Sequence, residues 1–230
     1  MTRCIKRDIL MNSRPTIIVN FKTYPNSTGP NAIRLAKICE KVAFETGNDI
    51  RIAVSALDLY HISEIVSIPV YAEHVDSYSP GKHTGSILPE NVKTVGATGT
   101  LLNHSEHRVP FHVLEESVRR AKNVSLTTVV CAETTAEGVK IAGLKPDFIA
   151  IEPPELIGGD VSVSKARPEL ITHAVREIKE KHKTRLLVGA GIKNRDDFLK
   201  ALELGADGIL IASGVDLATD PEKALLDLLP

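Results

Sequence analysis

The stretch Phe148-Ile149-Ala150-Ile151-Glu152-Pro153-Pro154-Glu155-Leu156-Ile157-Gly158-Gly159 decides how this chain is read. A short apolar run ends on a carboxylate, and the loop that follows is bounded by Pro and Gly. A buried parallel strand covered on both faces gives such a continuous apolar run. A carboxylate at its C-terminal end, opening a stiff-ended loop, is where a (β/α) enzyme places a base beneath a closing lid.

Working outward, equivalent runs recur. Strands are expected at Thr16–Asn20, Ile50–Ser55, Val70–His74, Gly99–Asn103, Leu126–Ala132, Asp147–Glu152, Arg185–Gly189 and Gly208–Ala212. Amphipathic stretches lie between them, at Asn31–Thr46, Pro168–His182 and Asp196–Leu204 among others, with one apolar helix face each. Pro30, Pro89, Pro110 and Pro168 stand near expected helix starts. Gly47, Gly143 and Gly205 stand near expected helix ends, where a left-handed residue is wanted. Eight strands alternating with helices predict an α/β chain closed as a single-domain (β/α)8 barrel over 15–230. An open doubly wound sheet is the alternative, but Asn20-Phe21-Lys22 after the first strand is not its Gly-rich phosphate turn.

Composition bounds the function. The chain has 230 residues, 43% of them apolar and 25% charged, with a formal net charge of -1. No global field draws it to nucleic acid or to a membrane surface, and no apolar run is long enough to span a bilayer. With no Trp and few Phe or Tyr, platforms for stacking bases are not expected. Cys4, Cys39 and Cys131 make neither a disulfide framework nor a metal-ligand pattern, which fits a reducing cytoplasm. Residues 1–14 carry basic side chains but no apolar core of a secretory signal, and read as a loose extension within which Met11 is an alternative start.

All parallel strands of a barrel end on the same face, so scattered segments converge. Glu152 at one strand end is a candidate general base, a role that apolar cover favours because desolvation raises a carboxylate's pKa. Its bland reading is an ion pair. His104, directly after Gly99–Asn103, precedes Ser105-Glu106, which read as the start of a short helix. A helix N-terminus disfavours imidazolium and suits a neutral hydrogen-bond donor. Lys22 offers a fixed cation for a phosphate or a developing enolate oxygen, with Asn20 beside it as an amide donor. Alone, each is more simply a solvated charge or a satisfied polar group. Glu106 reads as a partner for Lys22 or as an acid complementing the helix dipole. The Gly189-Ala190-Gly191 and Ala212-Ser213-Gly214 turns offer backbone N–H groups to phosphate, or are merely tight turns. Base, electrophile and cation together suit proton abstraction beside a carbonyl in an anionic substrate.

Asn20-Phe21-Lys22, Asn103-His104-Ser105-Glu106-His107-Arg108 and Ala150-Ile151-Glu152-Pro153-Pro154-Glu155-Leu156-Ile157-Gly158 resemble, in order, the signature segments of the triosephosphate isomerase family. That family is itself the standard worked case of a glutamate base paired with a neutral histidine. The proline pair after Glu152 and Gly189-Ala190-Gly191-Ile192 are similar to its compact archaeal branch. The resemblance implies interconversion of glyceraldehyde 3-phosphate and dihydroxyacetone phosphate through an enediolate, within glycolysis and gluconeogenesis, without metal or organic cofactor. It implies His104 as electrophile, Glu152 as base and Lys22 with Asn20 as substrate-binding pair. Ile157 and Gly158 match a hinged lid, and Gly191, Ala212 and Ser213 the phosphate loops. It also implies a homodimer or homotetramer, with the loop Ser77–Ser86 inserting into a neighbour. Three departures stand out: the lid lacks a Trp, Gly191 replaces a serine, and Ala212-Ser213 replaces a glycine pair. A metal-dependent sugar-phosphate epimerase and a non-enzymatic barrel are the other readings. The first needs paired His and Asp ligands at strand ends, a set that the sequence does not offer. The second is expected to have lost at least one of Lys22, His104 and Glu152.

Overall fold

A computed structural model describes residues 14–153, 167–189 and 191–230. Each apolar run becomes a strand: β1 (Thr16–Asn20), β2 (Asp49–Val54), β3 (Val70–Ala72), β4 (Gly99–Leu102), β5 (Thr127–Ala132), β6 (Phe148–Ile151), β7 (Arg185–Val188) and β8 (Gly208–Ile211). They pair in parallel in sequence order and close on themselves, β8 returning to β1. The expected single (β/α)8 barrel is therefore the observed fold. Six of the eight strands are a residue or two shorter than expected, five of them at the C-terminal end, where the chain leaves the sheet for the loop above.

Closure requires β8 to approach β1 without a side chain between them. Gly208 pairs with Thr16. A Cβ at Gly208 would lie 2.8 Å from both the backbone carbonyl carbon and the nitrogen of Thr16 and would overrun its oxygen. The absence of a side chain at that position is thus a condition of the seam.

The helices are α1 (Pro30–Thr46), α2 (Leu59–Ile65), α3 (Pro89–Thr94), α4 (Phe111–Asn123), α5 (Thr135–Ala142), α6 (Pro168–Ala174), α7 (Arg195–Glu203), α8 (Ser213–Asp216) and α9 (Pro221–Leu228). Pro30, Pro89 and Pro168 sit in the first turn as expected, while Pro110 is the residue just before α4. Thr134, Asn194 and Asp220 cap α5, α7 and α9 by accepting the N–H of Glu137, Asp197 and Lys223. Two local expectations are corrected. Gly143 keeps a right-handed φ of -59°, and the left-handed residue after α5 is Lys145, with φ 56°. The helix expected over Pro168–His182 widens into a π-type segment at Val175–Glu180.

Side chains alternate along each strand, and the two parities form two cores. Ile17, Val19, Ile52, Val54, Leu102, Val130, Ile149, Ile151, Leu186 and Val188 face the helices. Ile18, Ala53, Tyr71, Leu101, Val129, Cys131, Phe148, Ala150, Leu187 and Leu210 fill the barrel interior. The lower end is tied by polar groups. Arg51 donates to both oxygens of Asp49 at 2.9 and 2.8 Å and to the Tyr71 hydroxyl at 2.5 Å, while Arg185 donates to Thr16 Oγ1 at 2.7 Å. Both guanidinium groups lie over Phe148, at 5.3 and 4.4 Å from the ring centre. The upper end of the interior parity is the mouth, where the candidate residues stand.

Candidate active site

Inward parity carries two candidates directly to the mouth. Asn20 continues Ile18, and Glu152 continues Phe148 and Ala150. Asn20 is buried, and its Oδ1 accepts the backbone N–H of Lys22 at 3.3 Å. This side-chain turn holds Lys22 at φ 52°, a left-handed conformation that a lysine does not adopt without support. Lys22 Nζ lies 2.6 Å from Glu106 Oε1, with the lysine side chain 14% exposed. Burial pulls the Lys22 pKa down, but the hydrogen bond and charge of Glu106 outweigh it, so the net shift is upward and the ammonium is retained. Of the two readings of Glu106, the lysine partner is the one in the structure.

The segment after β4 departs from expectation. Residues 105 and 106 form a turn, closed by the His107 N–H donating to the His104 carbonyl at 2.8 Å, and α4 begins only at Phe111. His104 is therefore held by a turn amide rather than by a helix N-terminus. Its Nδ1 accepts the Glu106 backbone N–H at 3.2 Å. An amide nitrogen cannot accept, so Nδ1 keeps its lone pair and the ring proton resides on Nε2. That nitrogen lies 3.8 Å from Glu152 Oε2. Asn103 anchors the turn from below, at φ 58°. Its Nδ2 donates to the Cys131 carbonyl at 3.0 Å and to Glu137 Oε1 at 3.3 Å, and its Oδ1 accepts the Val109 N–H at 3.3 Å.

Glu152 is 6% exposed, and among the described residues its Oε2 has no hydrogen-bond donor. A buried carboxylate oxygen left open toward a histidine is costly for folding and available for chemistry. Two neighbours shape it. Cys131, on the adjacent strand, has its thiol pKa pushed well up by burial and then by the Glu152 charge, so it stays protonated and hydrogen-bonded to that carboxylate. Gly189, at the upper end of β7, leaves the space that the Glu152 side chain fills. A Cβ there would come within 2.7 Å of Oε1 and 2.9 Å of Cδ.

The phosphate-loop candidates stand at neighbouring strand ends. Gly191 follows β7 with φ 70°, and Ala212 and Ser213 open α8 directly after β8. Ile157 and Gly158 lie outside the described residues. A cavity of about 360 Å³ opens beside Lys22 and His104, bordered also by Asn20, Ser55, Glu73 and His107. Sequence reading assigned nothing to Glu73 or Asp216, gave Gly189 to a phosphate turn, and left Cys131 without a role in the site. Parity would have found three of them, since Glu73, Gly189 and Cys131 share the inward register of Tyr71, Leu187 and Val129. Among the described residues, no group of three or more His, Cys, Asp or Glu is placed to hold a metal ion.

A family model described as Triosephosphate isomerase matches residues 15–227. The chain is 50% identical over 215 residues to a triosephosphate isomerase of Methanobacterium bryantii, covering 93% of this chain and 95% of that one. It is 46% identical over 222 residues to one of Methanothermobacter thermautotrophicus, covering 96% and 97%. It is 46% identical over 214 residues to one of Methanocaldococcus jannaschii, covering 93% and 98%. With the barrel closed, the signature segments at its mouth and the match running almost end to end, the chain belongs to the triosephosphate isomerase family.

Proposed function

We propose that this chain interconverts glyceraldehyde 3-phosphate and dihydroxyacetone phosphate by moving one proton between adjacent carbons, the isomerase step of glycolysis and gluconeogenesis. Glu152 is the base. It takes the proton next to the carbonyl and returns it to the neighbouring carbon. His104 donates its Nε2–H to the carbonyl oxygen as charge develops there, and the Lys22 ammonium, with the Asn20 amide, stabilises the same enediolate and also attracts the substrate phosphate. Backbone N–H groups at Gly191, Ala212 and Ser213 receive the phosphate. Ile157 and Gly158 belong to the lid that excludes water and so protects the intermediate from losing phosphate.

One observation carries this reading. The open Oε2 of Glu152 lies 3.8 Å from the one nitrogen of His104 that bears a proton, inside a mouth that also holds the Lys22 ammonium. That pair can work on both sides of one carbonyl carbon. At that separation both groups are within reach of the same small substrate.

We further propose that the enzyme works as a homodimer or homotetramer in the cytoplasm. The loop Ser77–Ser86 is largely exposed, with Tyr78 stacked on His83, and Leu57 and Tyr60, after β2, are large apolar side chains left 94% and 61% exposed. No helix among the described residues is long and apolar enough to cross a membrane, and Cys39 and Cys131 are buried as free thiols.

The test is conversion of glyceraldehyde 3-phosphate in the presence of EDTA, with Glu152→Gln alongside. Turnover by the wild type and collapse in the variant are expected. A variant that turns over like the wild type removes Glu152 from the role of base.

A further inference from the structure

The surroundings of Lys22 hold more acid than an anion site tolerates. Its charge is already matched by Glu106 at 2.6 Å. Two other carboxyls lie against it and have no part in the proposed chemistry. Glu73 extends β3 in the inward parity and borders the same cavity as Lys22 and His104. Asp216 ends α8, is 1% exposed, and has no donor to either oxygen among the described residues. Glu73 Oε1 is likewise buried without a donor. An ionised carboxylate buried without donors is costly, whereas a neutral acid is far cheaper to bury.

We propose that Glu73 is a positioning residue for anion binding, acting through Lys22 as a neutral acid and, when ionised, cancelling the cation that the phosphate of the substrate needs. The inference rests on Lys22 meeting the anionic substrate. The surroundings agree. Burial pushes the Glu73 pKa up to about 8; the Glu106 and Asp58 charges add to the rise, while the Lys22 backbone N–H and ammonium oppose it. Burial also lifts Asp216 to about 8, with Lys22 opposing and Glu73 adding to the rise. The groups facing Glu73 are Lys22 after β1, Asp58 after β2, His104, Glu106 and His107 after β4, and Asp216 in α8, besides its own neighbour His74. Lys22 is the one fixed cation among them. With both buried acids protonated, Lys22 and Glu106 sum to zero; with both ionised, the cluster stands at -2 and meets a dianion. The pair titrates as a unit because each charge raises the other.

Inorganic sulfate is the probe. It stays a dianion across the whole range, so any pH dependence of its binding belongs to the protein. Sulfate dissociation constants are measured from pH 6.5 to 9.5 by amide chemical shifts, beside KM and kcat for glyceraldehyde 3-phosphate. The wild type is expected to weaken about tenfold or more toward pH 9.5, with a break near pH 8 in sulfate affinity and in KM. Glu73→Gln, which keeps the shape of the neutral acid, is expected to hold sulfate affinity within about threefold over the same range. A flat wild-type profile, a Glu73→Gln profile that still breaks near pH 8, or no sulfate binding at pH 7 each overturn the proposal. Sulfate binding that breaks as described in a protein without isomerase activity sinks the catalytic reading instead and leaves Glu73 in place.

Discussion

Replacing Gly189 by Ala is the sharpest probe of whether the geometry around Glu152 matters. The position has no left-handed φ, so alanine suits the backbone, and the added methyl acts only on what it touches. It touches Glu152, the proposed base. The ideal Cβ would lie 2.7 Å from Glu152 Oε1 and 2.9 Å from Cδ, where carbon contacts settle at about 3.5–4.0 Å. The carboxylate must retreat by about 0.6 Å or more. A misplacement of about 1 Å costs on the order of a hundredfold in rate, so a fall in kcat of about ten- to a hundredfold is expected, or about 1.4–2.7 kcal/mol of barrel-to-transition-state misfit. KM should change less than kcat, because Lys22 and the Ala212-Ser213 turn lie elsewhere on the mouth. The assay is steady-state turnover with thermal unfolding in parallel, so that a loss of fold is not read as a loss of chemistry. A correctly folded Gly189→Ala enzyme with kcat within threefold of the wild type would refute the reasoning that the Glu152 carboxylate must sit where it does.

Two further outcomes follow from the same contacts. Asn103→Ala removes a 1% exposed carboxamide that binds the Cys131 carbonyl, the Val109 N–H and Glu137, and places alanine at φ 58°. A loss of about 2–4 kcal/mol by urea unfolding is expected, with kcat falling because the His104 turn loosens; a loss below about 1 kcal/mol would show that the turn holds itself. Stability should also depend on pH through Glu73 and Asp216. Both have folded pKa values raised to about 8, so the native state binds more protons than the unfolded chain between roughly pH 4.5 and 8. Their ionisation therefore removes stability progressively as pH rises through that window. The gain in Tm of Glu73→Gln over the wild type should be small at pH 5 and largest at pH 8–9, and a gain that stays constant with pH would contradict the burial of a neutral acid.

The fold was legible because each strand is dominated by apolar residues on both faces, as parallel strands buried on both sides require, with charges such as Arg51 and Arg185 confined to the lower end. Glu152, His104, Lys22 and Asn20 were legible as strand-end polar residues, since a barrel sends every such end to one mouth. The rest depended on distances across strands. Glu73 sits inside Val70–His74 and reads as one polar residue at the end of an apolar run; only the inward parity shared with Tyr71 places it beside Lys22, over fifty positions earlier. Asp216 lies in a short polar stretch after β8, where nothing local says that it is buried. Gly189 looked like a turn glycine for phosphate, yet its neighbour is Glu152, and that pairing belongs to the register between β6 and β7. The turn after His104 was mistaken for a helix because Ser-Glu is an apt helix start, but Pro110 sets the start of α4 six residues later than His104. Lys145 took the left-handed position expected of Gly143 because α5 ends in a tight turn, with the Leu144 and Lys145 N–H groups on the Ile141 and Ala142 carbonyls.

The floor of the barrel has a consequence for where protons can travel. Arg51, Asp49, Tyr71, Arg185 and Thr16 are knotted across Phe148, and above them Leu101, Val129, Ala150 and Leu187 are fully buried. The lower axis of the molecule is filled with side chains. Glu152 stands on the top of that column, so a hydrogen taken from a carbon by the proposed base would leave upward. Exchange of that hydrogen with solvent therefore clocks the opening of the mouth alone, and isotope washout during turnover becomes a direct gauge of how long the chemistry is kept dry.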